Sequence, residues 1–152
     1  MMKTVSTTID RALLKEQILE EGMKKHQSVI DDFTHRIKEL LESRNGQAST
    51  EEAALRVNHL AEQLEFANKE MVILQEMRAT IKNIHDEVQL GSVVVTDKDI
   101  FFVSVSIERF HVDDLDIFGL SQKTPLFKAM EGKKKGDTFS YGDITYRIED
   151  IF

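Results

Sequence analysis

The sequence predicts an α+β protein: a long antiparallel two-helix coiled coil over residues 1–90, then a small β-sheet domain with one short helix over residues 91–152. Three observations lead there. Apolar residues recur in alternating steps of three and four along two runs that mirror each other about Asn45-Gly46. After Gly91 the apolar period shortens to two, the repeat of a strand with one face turned inward. Within that second half, Thr124, Pro125 and Gly132 bracket one short helix as cap, first position and terminator.

The first helix follows Thr7-Thr8-Ile9-Asp10, where Thr8 or Asp10 is a candidate cap, and extends from about Arg11 to Ser43. Its seam reads Leu19, Met23, His26, Ile30, Phe33, Ile37, Leu40. Arg44 to Ala48 makes the turn, and Gly46 supplies the left-handed conformation that ends helices. Ser49 with Glu52 three residues on is a capping-box pattern. The second helix then continues to about Val88 with the seam Ala53, Val57, Leu60, Leu64, Ala67, Met71, Leu74.

Pairing Leu40 with Ala53 and working outward to Leu19 with Leu74 keeps the position sum at 93 or 94 through every layer. Two independent helices have no reason to hold that sum. A chain that runs out, turns and returns along itself does, and the three-four alternation keeps its seam facing inward. About 30 residues at 1.5 Å each give an arm of roughly 45 Å. Near its base Phe66, Ile73, Met77 and Ile84 add a second stripe, expected to pack on the other domain.

Gly91 marks the boundary. Val93-Val94-Val95, the turn Asp97-Lys98-Asp99 and an alternating run from Ile100 to Ile107 predict a hairpin whose second strand is half-buried. Phe139-Ser140-Tyr141 and Ile144 to Ile148 flank Gly142-Asp143 as a second hairpin. Asp113-Asp114-Leu115-Asp116 reads as loop.

Composition narrows the chemistry. Residues 1–90 carry 12 basic and 16 acidic side chains, and residues 91–152 carry 8 and 11. This acidic balance lacks the cationic footprint that phosphate neutralisation needs, so direct DNA or RNA binding is not expected. Cysteine is absent, which removes thiol nucleophiles and thiolate metal sites. Residues 1–17 have no apolar stretch of signal-peptide length and no run approaches a membrane span, so a cytoplasmic location without membrane partners is expected.

The five histidines show no metal-ligand spacing, and no cofactor or metal is expected. His26 sits in the seam opposite Ala67 and reads as packing. Lys24-Lys25 and Lys133-Lys134-Lys135 read as solvated faces, as does Asp31-Asp32 between two seam residues. Gly132 to Gly136 follows a helix instead of opening one, so it is no phosphate loop.

The most specific local signal is SQKTPLFKAMEGKKKGD, Ser121 to Asp137. It resembles the C-terminal signature of bacterial transcription elongation factors of the GreA/GreB family, in which a serine-proline segment leads into a short helix, a Gly-Lys-Lys-x-Gly-Asp turn and a closing strand, here ITYRIEDIF. FKBP-type peptidyl-prolyl isomerases share that fold and a looser form of the motif. The order of a helical hairpin followed by this domain resembles the Gre architecture over essentially the whole chain. The resemblance implies an FKBP-like second domain that docks on RNA polymerase core through Ser121, Thr124, Pro125 and Leu126. It also implies an arm that enters the polymerase secondary channel, with nucleic acid met only through that complex and no catalysis by the chain itself. Capping is the alternative role for Thr124 and Pro125.

Cleavage-stimulating members carry an aspartate and a glutamate in Gly-Asp-x-x-Glu-Asn at the arm's tip, where the pair helps hold a magnesium ion of the polymerase. Aligned from Gly46, this chain has Gln47 and Thr50 there, with Glu51 and Glu52 as the nearest acids. An amide and a hydroxyl do not replace two carboxylates on a hard cation. Weak or absent transcript cleavage is therefore expected. Two other readings remain: an FKBP-type isomerase or chaperone with a coiled-coil handle, and a regulator of the nucleoside diphosphate kinase type, for which this arm is long.

Overall fold

The computed structural model describes residues 8–43 and 51–152. Helix α1 spans Thr8–Ser43 and α2 spans Glu51–Met77. α1 starts three residues before the expected Arg11, so Asp10 lies in the first turn, where a carboxylate suits the positive end of the helix dipole. The reversal at Asn45-Gly46 and the Ser49 half of the capping box lie outside the described residues.

The two helices pack on each other with opposite chain sense. His26 meets the Ala67 carbonyl at 2.8 Å, Glu20 meets Arg78 at 3.1 Å and Glu16 meets Lys82 at 3.4 Å. Burial along the seam is graded. Leu19, Met23, His26 and Ile30, with Ala67, Met71 and Leu74, are buried, whereas Phe33, Ile37, Leu40, Ala53, Val57, Leu60 and Leu64 are only half-buried. Two helices alone cannot close a seam from every side, and where the sheet adds a third layer the seam goes dry.

α2 ends at Met77, eleven residues short of the expected Val88. The amides of Arg78, Ala79 and Thr80 turn to carbonyls three residues back, at 3.3, 3.3 and 3.1 Å, which tightens and closes the helix. Thr80, Ile81, Asn83, Ile84 and His85 follow, all weaker helix formers than the preceding Leu and Glu residues. The chain then passes from one hydrophobic core, which holds Ile81 and Ile84, to the other, which holds Val88. Val88 donates to the Lys133 carbonyl and accepts from the Gly132 amide, both at 2.9 Å. The base of the molecule therefore begins before Gly91.

Six strands follow: β1 Val93–Thr96, β2 Ile100–Ser104, β3 Ile107–Val112, β4 Leu115–Ser121, β5 Thr138–Tyr141 and β6 Ile144–Ile151, with helix α3 Pro125–Met130 between β4 and β5. They form one sheet in the order β3-β4-β2-β1-β6-β5. Every neighbouring pair is antiparallel except β2 and β4. Both expected hairpins are present, β1–β2 over Asp97-Lys98-Asp99 and β5–β6 over Gly142-Asp143, where Gly142 takes φ +61°.

The expected single strand from Ile100 to Ile107 is two strands. Val105-Ser106 carries the chain across β4, so that β2 and β3 flank it on opposite sides. Gly119 of β4 makes the crossing possible: a Cβ there would lie 2.5 Å from the Val105 carbonyl oxygen and 2.6 Å from Ile107 Cβ. The acidic run expected as loop is only partly so. Asp113-Asp114 turns the β3–β4 hairpin, with Asp113 at φ 51°, and Leu115 already opens β4.

β2 is buried at all five residues, not on one face as expected. Ile100 and Phe102 face a core shared with Leu14, Ile18, Leu19, Met23, Met71, Leu74 and Ile81, while Phe101 and Val103 face a second core with Phe127, Met130, Phe139, Tyr146 and Ile148. The sheet is thus sandwiched between the basal ends of α1 and α2 and the short helix α3. Gly22 brings α1 close to β3, its missing Cβ being 3.3 Å from Ile107 and 3.4 Å from Phe110. Near the start of α1, Arg11 reaches the other side of the sheet, pairing with Asp150 of β6 at 2.9 Å and lying 5.3 Å over the Phe152 ring.

Candidate functional site

Three regions carry the side chains singled out by sequence. The first is the tip. Gln47 and Thr50 lie outside the described residues. Glu51 and Glu52 are exposed in the first turn of α2, and Glu52 is paired with Arg56 one turn on, at 2.9 Å. Both acids suit the helix dipole, and Glu52 already has a cation.

The second is the loop from β4 into α3, which gathers Ser121, Thr124, Pro125 and Leu126. Thr124 is the N-cap: its backbone is extended at φ −84°, ψ 149°, its hydroxyl accepts from the Phe127 amide at 3.2 Å and donates to the Ser121 carbonyl at 2.8 Å. The Ser121 hydroxyl accepts from the Lys123 amide at 3.2 Å. Pro125 is exposed at the first helical position, and Leu126 packs half-buried on the α3-side core. The capping role of Thr124 and Pro125 is therefore real, and it presents one rigid corner at the sheet's end.

The third region was not foreseen. The stripe Phe66, Ile73, Met77, Ile84 divides: Met77 and Ile84 join the helix-side core, but Phe66 stays 52% exposed and Ile73 39% exposed. Phe66 instead receives Lys123 from the β4–α3 corner, the ammonium lying 5.8 Å from the ring centroid. The corner thus touches the arm about 22 Å from the start of α2, taking fifteen residues at 1.5 Å each. Beside this contact a groove of about 430 Å³ opens between the two helices and the Val105-Ser106 crossing.

His26 lies at the floor of that groove, 4% exposed, its Nε2 donating to the Ala67 carbonyl, because a carbonyl can only accept. Glu70 stands 3.9 Å from it. Burial pushes the Glu70 carboxyl above its usual range, against the opposing pulls of His26, the Ser106 amide and Lys123.

A second recess of about 470 Å³ lies on the other side of the arm's base, between Glu16, Glu20, Glu21, Arg78, His111 and Asp113. Close by, Lys15 is fully buried, its ammonium donating to the Asn83 carbonyl. Burial lowers its pKa to about 8. His85 hydrogen-bonds Ser92 Oγ through Nδ1 at 2.7 Å, and burial, with the Lys15 charge, pushes its pKa down. Ser92 Oγ also accepts from the Gln89 amide and donates to the Glu87 carbonyl, so it pins a turn and is no free nucleophile.

Among the described residues no group of three or more His, Asp or Glu side chains is placed to hold a metal ion, and no helix is long and apolar enough to cross a membrane. No family model matches the chain, and no curated protein matches it.

Proposed function

We propose that this protein is a Gre-type transcription factor that binds bacterial RNA polymerase core, inserts the tip of a coiled-coil arm into the secondary channel and modulates elongation without strong transcript cleavage. The observation that supports this most is the juxtaposition of two features. A helix pair in the register read from the heptads extends about 22 Å beyond a sheet base, taking α2 from Glu51 to Phe66. That base, read as FKBP-like, presents the corner Ser121, Thr124, Pro125 and Leu126 on the same side as the arm. The rigid corner docks at the channel mouth and the arm reaches inward. Cleavage requires carboxylates on the second magnesium of the polymerase, as two-metal phosphoryl chemistry demands. Gln47 and Thr50 offer none, and Glu52 is engaged by Arg56.

The isomerase reading is weaker. Phe139 stacks on Tyr146 at 5.0 Å and Phe101 meets Tyr146 edge-on at 6.0 Å inside the α3-side core, so these rings are engaged in packing against one another. Capture of the full chain on purified core polymerase tests the docking. Absence of binding overturns the proposal. Added to backtracked elongation complexes, the wild type is expected to leave the 3′ RNA intact, and a variant with Gln47→Asp and Thr50→Glu is expected to shorten it. Rapid shortening by the wild type overturns the neutral-tip reading.

A further inference from the structure

The groove between the helices and the Val105-Ser106 crossing is lined by two phenyl rings, Phe33 and Phe66, and by three carboxylates, Glu62, Glu70 and Glu108. Its 430 Å³ is the size of a small-ligand site and accommodates one long side chain with its neighbours. One permanent cation, Lys25, is set against the three acids, and His26 and His59 complete the polar lining. Neither Glu62 nor Glu108 is in an ion pair among the described residues. The Glu70 side chain, 13% exposed, has only His26, at 3.9 Å, as an ion-pair partner among the described residues. Glu70 is largely withdrawn from water, whereas Glu62 and Glu108 are exposed. An aromatic face beside one desolvated carboxylate and two exposed ones favours a cation, since the ring quadrupole and the negative charge act together.

The chain itself supplies a stand-in. Lys123 places its ammonium over the Phe66 ring, and its charge also acts on Glu70. We propose that this groove receives the cationic head of an arginine or lysine side chain presented by a protein partner, with Lys123 occupying the rim until that side chain displaces it. Phe33 and Phe66 clasp the stem, and Glu62, Glu70 and Glu108 neutralise the head. Charge complementarity selects the occupant, and the apolar Val29, Phe33 and Ile107 in the lining select a basic residue flanked by apolar ones over a free polycation.

The inference does not rest on the polymerase reading, and its test uses none. Acetyl-Leu-Arg-Leu-amide is titrated into the full chain while the ring signals of Phe66 and the imidazole signals of His26 and His59 are followed by NMR. Saturable shifts are expected with Kd on the order of 1 mM, the range of one desolvated cation contact plus apolar flanks. The citrulline peptide, of equal shape and no charge, is expected to bind at least tenfold more weakly. Glu70→Gln and Phe66→Leu each weaken the arginine peptide several-fold, whereas Lys123→Met tightens it. Equal binding of the citrulline peptide overturns the proposal. So do unmoved signals, or an unchanged Kd in Lys123→Met. Spermidine binding as tightly as the peptide would overturn the commitment to a protein partner.

Discussion

Replacing Lys15 by methionine isolates the energetic consequence of burying an amine at the base of the arm. In the folded chain its pKa is about 8 against an ordinary 10.5, and burial is the cause. Below the folded value both states hold the proton, and the folded state bears the full cost of an enclosed charge. Between the two values the unfolded chain is still protonated while the folded one is not, so stability rises with pH. Integrating over both ionisations gives a gain of about 2.5 kcal/mol between pH 7 and pH 10. Methionine fills the same space without a charge and removes that gain, although it forfeits the bond to the Asn83 carbonyl, about 1 kcal/mol. Urea unfolding of both proteins across this pH range is the assay. The wild-type stability minus that of Lys15→Met is expected to climb by 2 to 3 kcal/mol, roughly. The His85 pKa is expected to move upward in the variant, because one of the two causes depressing it has gone. A difference independent of pH would refute the reasoning, as it would mean that Lys15 reaches water through its stem.

Other outcomes follow from packing. Gly119→Ala is expected to destabilise by at least 2–3 kcal/mol, roughly, since its Cβ meets backbone at 2.5 Å and cannot be relieved by a rotamer change; thermal melting measures it. Gly22→Ala meets only side-chain ends at 3.3 and 3.4 Å, and the helix gains about 1 kcal/mol from alanine, so its melting point is expected to change little. Thr124→Ala removes the cap of a six-residue helix and is expected to cost about 1 kcal/mol by denaturant unfolding, with Thr124→Ser restoring most of it. His26→Leu is expected to lose about 1 kcal/mol, and not more, because the Ala67 carbonyl also lies in a helical ladder; equilibrium unfolding reads the difference.

The helices were legible because a seam repeats, and the mirrored sum predicted the His26–Ala67 partnership that the fold contains. The hairpins at Asp97-Lys98-Asp99 and Gly142-Asp143 and the capped helix after Thr124 were legible because turn chemistry is local. The end of α2 was not, since Ile81 and Ile84 continue an apolar pattern while serving the core from an irregular segment. Nor was the crossing at Val105-Ser106. Alternation continues straight through it, and its enabling residue, Gly119, lies fourteen positions beyond Val105 in a stretch with no strand signal strong enough to outweigh its acids. The groove escaped for a related reason. Phe66 and Lys123 meet only because the sheet brings the α3 corner against the arm, and no spacing along the chain encodes that.

Arg11 and Asp150 hold opposite ends of the described chain in one ion pair, and the sheet's inner surface is roofed by the first turns of α1. Excision at Gly91 would strip that roof and leave Phe102, Phe110 and Ile117 wet, so the strands are not a detachable module. The lower half of α1 rests on α2 and on β3, and the contact of Arg11 with Asp150 and Phe152 adds a tie to the far side of the sheet. Removing Asp150 to Phe152 takes away both the carboxylate and the ring that Arg11 engages, the clasp that joins lever to mount.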